Sequence, residues 1–177
     1  ALYVSLMAAV FEEAGRFVAF KFFLTKHTDD NETAISYGLG HGGIECIIAL
    51  GITQLQYYAY AQLINQNKID TVINTLPDKA SKTAMTELIN AIKDMTLSES
   101  LLAGGQRFFI MFLQVALSVL VFKAVREVNN NRYIAIAIVL HTLGNIPAAL
   151  YQRDVCPRLG SELFSIAYSI VVCIFAY

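Results

Sequence analysis

The sequence predicts an all-α fold, a polytopic transmembrane helix bundle with about five membrane helices and an amphipathic helix in a long loop. Of the 177 residues, 56% are hydrophobic and only 15% are charged, whereas soluble domains carry about 25% charged residues. The apolar residues form long runs, close to the roughly 20 residues that a helix needs to cross a bilayer. The runs lack an alternation of period two, so they favour helices over the strands of a membrane barrel.

Five apolar segments qualify, or nearly qualify, as membrane helices. Their approximate bounds are Leu2–Leu24, Ala34–Leu63, Leu101–Val125, Tyr133–Leu150 and a fifth segment that begins near Ser161. We interpret residues 1–177 as one transmembrane helical domain. Because the chain begins and ends inside apolar runs, we expect it to be truncated at both ends.

The long connection over residues 66–100 is predicted to lie outside the membrane and to contain an amphipathic helix. Pro77 is a favourable start signal, and residues between Asp78 and Met95 alternate between two faces with helical spacing. The apolar face comprises Ala84, Met85, Leu88, Ile89, Ile92 and Met95. The opposite face comprises Lys79, Lys82, Glu87, Lys93 and Asp94. Two placements stay open, at the membrane surface or as a soluble cap packed on the bundle.

The distribution of Lys and Arg predicts the orientation of the helices, because short cytoplasmic loops are enriched in these residues. The basic residues around the connections after the first and third segments are Lys21, Lys26, Lys123, Arg126 and Arg132. The connection after the fourth segment holds only Arg153 and Arg158. We therefore expect the first and third connections to be cytoplasmic.

Composition also excludes some classes of function. The formal net charge is −1 and there is no basic stripe, so nucleic acid is not an expected partner. The three cysteines lack CxxC spacing and indicate neither a disulfide framework nor a zinc site. HExxH and P-loop motifs are absent from the sequence. The expected partners are membrane lipid and other membrane-associated molecules.

The first apolar segment carries three ionisable residues, Glu12, Glu13 and Arg16, within one helical turn. Ionisable groups in hydrocarbon are costly, so they normally face a protein interior and mark function. One interpretation is an ion pair that only holds helices together. The other is that Arg16 orients one carboxylate while the second, left unpaired, activates water as a general base.

The second and fourth segments each carry a histidine followed one turn later by another polar residue. Glu45 follows His41 and could orient its imidazole or share its proton. Asn145 follows His141 and could hold one ring nitrogen, which would define the tautomer. For both histidines the structural alternative is a hydrogen bond between helices.

The same residues leave the cofactor question open. Zinc accepts histidine and carboxylate ligands and activates water, so His41 and His141 are candidate ligands of a divalent metal. Without a metal, a glutamate would act as base, and the histidines and Asn145 would donate to an oxyanion. The two histidines lie on different segments, so their spacing in the sequence does not decide between these mechanisms.

Taken together, these motifs resemble the YhfC family of intramembrane proteases, within a wider group of CAAX-prenyl-protease-like and PrsW-like membrane proteins. EEAGR at 12–16 resembles an EExxxR-type motif with one spacer residue fewer. SYGLGHGGIE at 36–45 resembles the glycine–histidine segment of the family, and HTLGN at 141–145 resembles an HxxxN/D-type motif. LSVLVFKAVR at 117–126 is also similar. The resemblance covers nearly the whole chain.

The resemblance implies an intramembrane peptidase in a bacterial cell membrane, with its site facing the cytoplasm and a membrane-associated peptide or protein as substrate. A prenylated CAAX substrate is one that the wider group implies. The chain departs from the family pattern in the third segment, where Gln106 and Gln114 stand in place of a glutamate and a histidine. This departure keeps open a catalytically silent scaffold or chaperone-like partner of another membrane protein, as in the distantly similar APH subunit of γ-secretase. A carrier of small molecules or ions is a third alternative.

Overall fold

The computed structural model describes residues 1–24, 31–127 and 130–176, and all regular elements within these ranges are helical. The predicted all-α fold is confirmed. The α-helices of the described ranges are α1 Leu2–Val18, α2 Asn31–Cys46, α3 Thr53–Asn65, α4 Ile69–Thr75, α5 Lys79–Asp94, α6 Leu97–Arg126, α7 Arg132–Tyr151 and α8 Arg158–Ala176. Turns of π-helix extend α1 over Ala19–Phe23 and join α2 to α3 over Ile47–Ile52.

Four helical stretches of the described ranges are long and apolar enough to cross a membrane. They are Asn31–Asn65, Leu97–Arg126, Arg132–Tyr151 and Arg158–Ala176, and they correspond to the second to fifth predicted segments. The first predicted segment is helical too, but it carries the charged residues Glu12, Glu13 and Arg16 and is not among these four stretches. Lys26, used above for orientation, lies outside the described residues.

The chain forms two compact units, and the polar residues of the three motifs all belong to the first. This unit comprises Ala1–Glu45 and Gly105–Tyr177. Its core is organised around α6, in which every residue from 113 to 122 is buried. A helix that is apolar on all sides is expected in the interior of a bundle. The aromatic ring of Phe20 packs against that of Phe122 on α6, with centroids 5.2 Å apart.

Glycines bring α2 and α6 into backbone contact. A Cβ atom added at Gly38 would lie 2.5 Å from the Cα of Val115, and one at Gly42 would lie 3.0 Å from the Cα of Met111. Such distances exclude any side chain unless the helices separate. This close seam places the intervening His41 beside α6, as the small-xxx-small spacing indicates.

The second unit, Cys46–Gly104, contains the predicted amphipathic helix as α5. The carboxylate of Asp78 caps this helix by accepting hydrogen bonds from the Ser81 N–H at 2.8 Å and the Ser81 hydroxyl at 2.7 Å. These bonds, the backbone one foremost, lower the pKa of Asp78 below its ordinary value. The apolar face packs against α3 and α4, with Ile89 only 2% exposed. The location of residues 66–100 outside the membrane stays a prediction.

Candidate active site

Two consecutive acids on α1 occupy different environments. Successive residues of an α-helix are rotated by about 100° around its axis, so Glu12 and Glu13 point in different directions. Glu13 is completely buried, whereas the side chain of Glu12 remains 35% exposed. The pair therefore divides into an inner carboxylate and an accessible one.

The inner carboxylate, Glu13, lies between a guanidinium and an imidazole. Its Oε1 is 2.7 Å from Nδ1 of His141, and its Oε2 is 3.3 Å from Nε of Arg16. A carboxylate beside a guanidinium accepts hydrogen bonds, so Nδ1 of His141 donates and carries the proton. The other ring nitrogen, Nε2, faces Oε2 of Glu12 at 3.6 Å.

The partner of His141 therefore differs from the expectation that Asn145 holds a ring nitrogen. Helical spacing places Asn145 one turn away on α7, but the imidazole turns towards α1, where the Glu13 carboxylate accepts from it. Asn145 instead lines a neighbouring cavity.

Arg16 connects α1 to α6 and is 1% exposed. One terminal nitrogen, Nη1, donates to the carbonyl oxygen of Gln114 and to the hydroxyl of Ser118, both at 2.6 Å. The other, Nη2, donates to the side-chain Oε1 of Gln114, also at 2.6 Å. The planar, forked guanidinium suits such simultaneous contacts. Its Nε lies 3.3 Å from Oε2 of Glu13, a buried ion-pair contact without an aligned hydrogen bond.

The motifs in the sequence do not predict the contacts that Gln114 and Ser118 make with Arg16. A lone glutamine in an apolar run is typical of a residue that joins helices, and Ser118 has no base at an identifiable spacing in the sequence. In the structure both are buried partners of Arg16, and the Gln114 amide also donates to Oε2 of Glu45 at 2.7 Å. The feature of the sequence that could have indicated a role for Gln114 is its position as a neutral amide within an apolar run.

The accessible carboxylate, Glu12, faces both histidines. Its Oε2 is 3.3 Å from Nε2 of His41 and 3.6 Å from Nε2 of His141. The acid that contacts His41 is thus Glu12, whereas the expected partner, Glu45, hydrogen-bonds to Gln114 and lies 3.8 Å from Arg107. The reason is again rotation about helix axes, because Glu45 turns from its own helix towards α6.

A set of potential metal ligands forms at the accessible side of this cluster. One donor atom from each of Glu12, His41 and Glu45 lies within 4.8 Å of the others. An imidazole with two carboxylates is a donor set that zinc accepts, so these residues fit a divalent metal. His41 was a predicted ligand, but Glu12 and Glu45 complete the set in place of the predicted His141. His141 lies deeper, and its Nδ1 is engaged by Glu13.

A cavity of about 60 Å³ adjoins the cluster. Its volume is above the roughly 10–15 Å³ that a cavity needs to hold a water. Its polar lining residues are Glu45, Gln106, Arg107, Gln114, His141, Asn145, Tyr168, Ser165 and Ser169. The polar residues that the motifs single out thus lie in the cluster or in the wall of this adjoining cavity: Glu12, Glu13, Arg16, His41, Glu45, His141 and Asn145.

Residues 1–163 match the family described as YhfC intramembrane metalloprotease. The chain belongs to the YhfC family. The match contains all three motifs, and it confirms the resemblance drawn from them. A relative in Bacillus subtilis (strain 168), described as uncharacterized membrane protein YhfC, is 32% identical over 154 residues. The alignment covers 87% of this chain and 58% of the relative, so the YhfC-family chain spans little more than half of that protein's length. No solved structure matches the chain.

Proposed function

We propose that this YhfC-family chain belongs to an intramembrane peptidase that hydrolyses a peptide bond of a membrane-associated substrate. The observation that carries the proposal is the placement of Glu12. Its carboxylate faces Nε2 of two histidines at 3.3 and 3.6 Å, while the adjacent Glu13 takes the contact with Arg16. An acid that is accessible and free of a guanidinium partner suits a general base.

In this mechanism Glu12 takes a proton from the attacking water. In the tautomer of His141 that carries its proton on Nδ1, held by Glu13, the atom Nε2 accepts the water proton from Glu12. Nε2 then passes this water proton to the leaving amine nitrogen. The water oxygen forms the new bond to the carbonyl carbon, and the carbon–nitrogen bond breaks. Arg16 keeps Glu13 in place and so maintains the tautomer of His141.

A divalent metal would be held by His41 and Glu45 together with Glu12. When bound, it would supply Lewis-acid polarisation of the substrate carbonyl and of water. The fit of the donor set and the description of the family both support this assignment. Zinc is the metal that such ligands suit best.

We also propose that the protein lies in a bacterial cell membrane, with the site open to the cytoplasm. The apolar helices and the described B. subtilis relative support a membrane protein, and the Lys and Arg distribution supports the orientation. The substrate would then reach the site from the membrane or from its cytoplasmic surface.

The decisive experiment measures cleavage of a reporter membrane peptide by the purified chain and by Glu12→Gln. We expect the variant to lose at least about 100-fold in rate, as for removal of a general base. Glu87→Gln, an exposed change on α5, is the matched control and should cleave normally. Cleavage by Glu12→Gln at the wild-type rate would contradict the mechanism.

A catalytically silent scaffold is the second candidate function. It is favoured by Gln106 and Gln114, which stand where the family pattern has ionisable residues, and by the full use of the Gln114 side chain in contacts within the bundle. A wild-type chain that cleaves no peptide with or without zinc, and that co-purifies with a stoichiometric membrane partner, would establish this candidate instead.

A further inference from the structure

We infer that Gln114 is a positioning residue that holds the Glu45 carboxylate at the metal-binding end of the cluster. The inference rests on the proposed metal site. Gln114 is 2% exposed and lies on α6, between Arg16 on α1 and Glu45 on α2. Neither motif that contains Arg16 or Glu45 includes it.

The orientation of the Gln114 amide is set by Arg16. A guanidinium only donates hydrogen bonds, so the atom 2.6 Å from Arg16 Nη2 must be the amide oxygen. The NH₂ group then points the opposite way, and it meets Oε2 of Glu45 at 2.7 Å. A flipped amide would set NH₂ against the guanidinium and oxygen against the carboxylate, two repulsive contacts in a buried site.

Glu45 is partly exposed, as Glu12 is, so its position depends on such a restraint. Its side chain is 35% exposed. A partly exposed glutamate populates several rotamers, and each rotamer moves its oxygens relative to Glu12 and His41. A charge-assisted hydrogen bond from a buried amide selects one of them. Partners that orient metal ligands in this way typically change metal affinity by about 10- to 100-fold.

Ser118 provides a matched comparison on the same helix. Its hydroxyl accepts a hydrogen bond from Arg16 Nη1 at 2.6 Å, so Ser118 supports the guanidinium as Gln114 does. The same hydroxyl donates to the backbone carbonyl of Gln114 at 2.8 Å, and it makes no contact with Glu45 through this bond. Ser118→Ala therefore removes one acceptor of Arg16 and leaves the amide of Gln114 on Glu45. Gln114→Glu does the reverse, because it keeps an oxygen for Arg16 and replaces the donor by a second carboxylate against Glu45.

The test titrates the purified wild-type chain and both variants with Co²⁺, following the visible d–d absorption, with helical circular dichroism as the measure of folding. We expect Gln114→Glu to bind Co²⁺ about 10- to 100-fold more weakly with an altered d–d band, while Ser118→Ala binds within about two-fold of wild type. If Gln114→Glu loses its helical signal, Gln114→Leu, which removes the amide without adding charge, carries the same expectation.

Three results would overturn the inference in distinguishable ways. Wild-type affinity and spectrum in a folded Gln114 variant would refute the role of Gln114 and leave the metal site intact. Equal weakening in Ser118→Ala would show that support of Arg16 is what matters. No Co²⁺ binding by the wild-type chain would refute the metal site itself, and the role of Gln114 with it.

Discussion

Glu13 on α1 and His141 on α7 are joined by a contact of 2.7 Å between Oε1 and Nδ1, although 128 positions separate them in the sequence. Glu13 is fully buried and the side chain of His141 is 3% exposed. Because Arg16 shares the same carboxylate, the contact couples three buried polar groups on two helices. Removing Glu13, the shared member, leaves the Arg16 charge and Nδ1 of His141 without their carboxylate partner in the interior.

We therefore predict that Glu13→Gln destabilises the fold strongly. Breaking a buried ion pair by removing one partner costs about 3–5 kcal/mol, because a charge is left uncompensated. SDS-induced unfolding of the detergent-solubilised chain measures this loss. Glu12→Gln is the control, because it leaves Arg16 paired with Glu13 and should cost far less stability. Equal stability of the two variants would contradict the division into inner and accessible acids.

The glycine seam between α2 and α6 gives a second prediction. A methyl group at Gly38 would lie 2.5 Å from the backbone of Val115, so Gly38→Ala should cost about 1–3 kcal/mol through overpacking. Gly40→Ala, two residues along, meets nothing within 4 Å and should be neutral or stabilising by up to about 1 kcal/mol. Thermal unfolding of both variants in one detergent tests the difference. A Gly38→Ala variant as stable as Gly40→Ala would mean that the helices are not in contact there.

Metal binding should stabilise the folded chain. A ligand that binds only the folded state at 100 times its Kd adds about 2.7 kcal/mol to the free energy of unfolding. We expect zinc to raise Tm for the wild-type chain and for Glu87→Gln, and a chelator to reverse the change. Glu12→Gln and Glu45→Gln remove proposed ligands and should show little or no rise. A full Tm increase in either variant would remove that residue from the ligand set.

The cap of α5 gives a pH-dependent prediction. Hydrogen bonds from Ser81 lower the pKa of Asp78 below its ordinary value of 3.8, so the ionised carboxylate stabilises the helix start. A lowered pKa means that this contribution is present above the ordinary value and is lost as the pH falls through the lower, folded-state value. We expect Asp78→Ala to weaken hydrogen-exchange protection in the first turn of α5 at pH 7.

The difference between wild type and Asp78→Ala should disappear as the Asp78 carboxylate is protonated. Asp78→Asn supplies the comparison, because its amide oxygen still accepts from Ser81 and does not titrate. Its protection should therefore change little between pH 7 and acid conditions. A wild-type advantage over Asp78→Ala that persists unchanged in acid would contradict the capping role of the charge.

Much of the fold was predictable because it follows from local pattern. Apolar runs of membrane-spanning length correspond to α2–α3, α6, α7 and α8, and the two-faced pattern after Asp78 corresponds to α5. Helix formation depends on residues one to four positions apart, which a single sequence displays directly. The motifs were predictable for a related reason, since ionisable residues in apolar helices indicate an interior polar site.

What the sequence by itself determined was most of the helices, the family and the motif residues that meet in or beside the polar cluster. Only the tertiary structure decided which of these side chains contact each other. Glu13 contacts His141, Glu12 contacts His41, and Gln114 lies between Arg16 and Glu45. Spacing along one helix defines which residues share a face, but not which way that face turns towards its neighbours. The rotation of each helix about its axis is set by contacts between segments that are distant in the sequence, such as the close approach of backbones at Gly38. Local patterns in the sequence do not display such contacts.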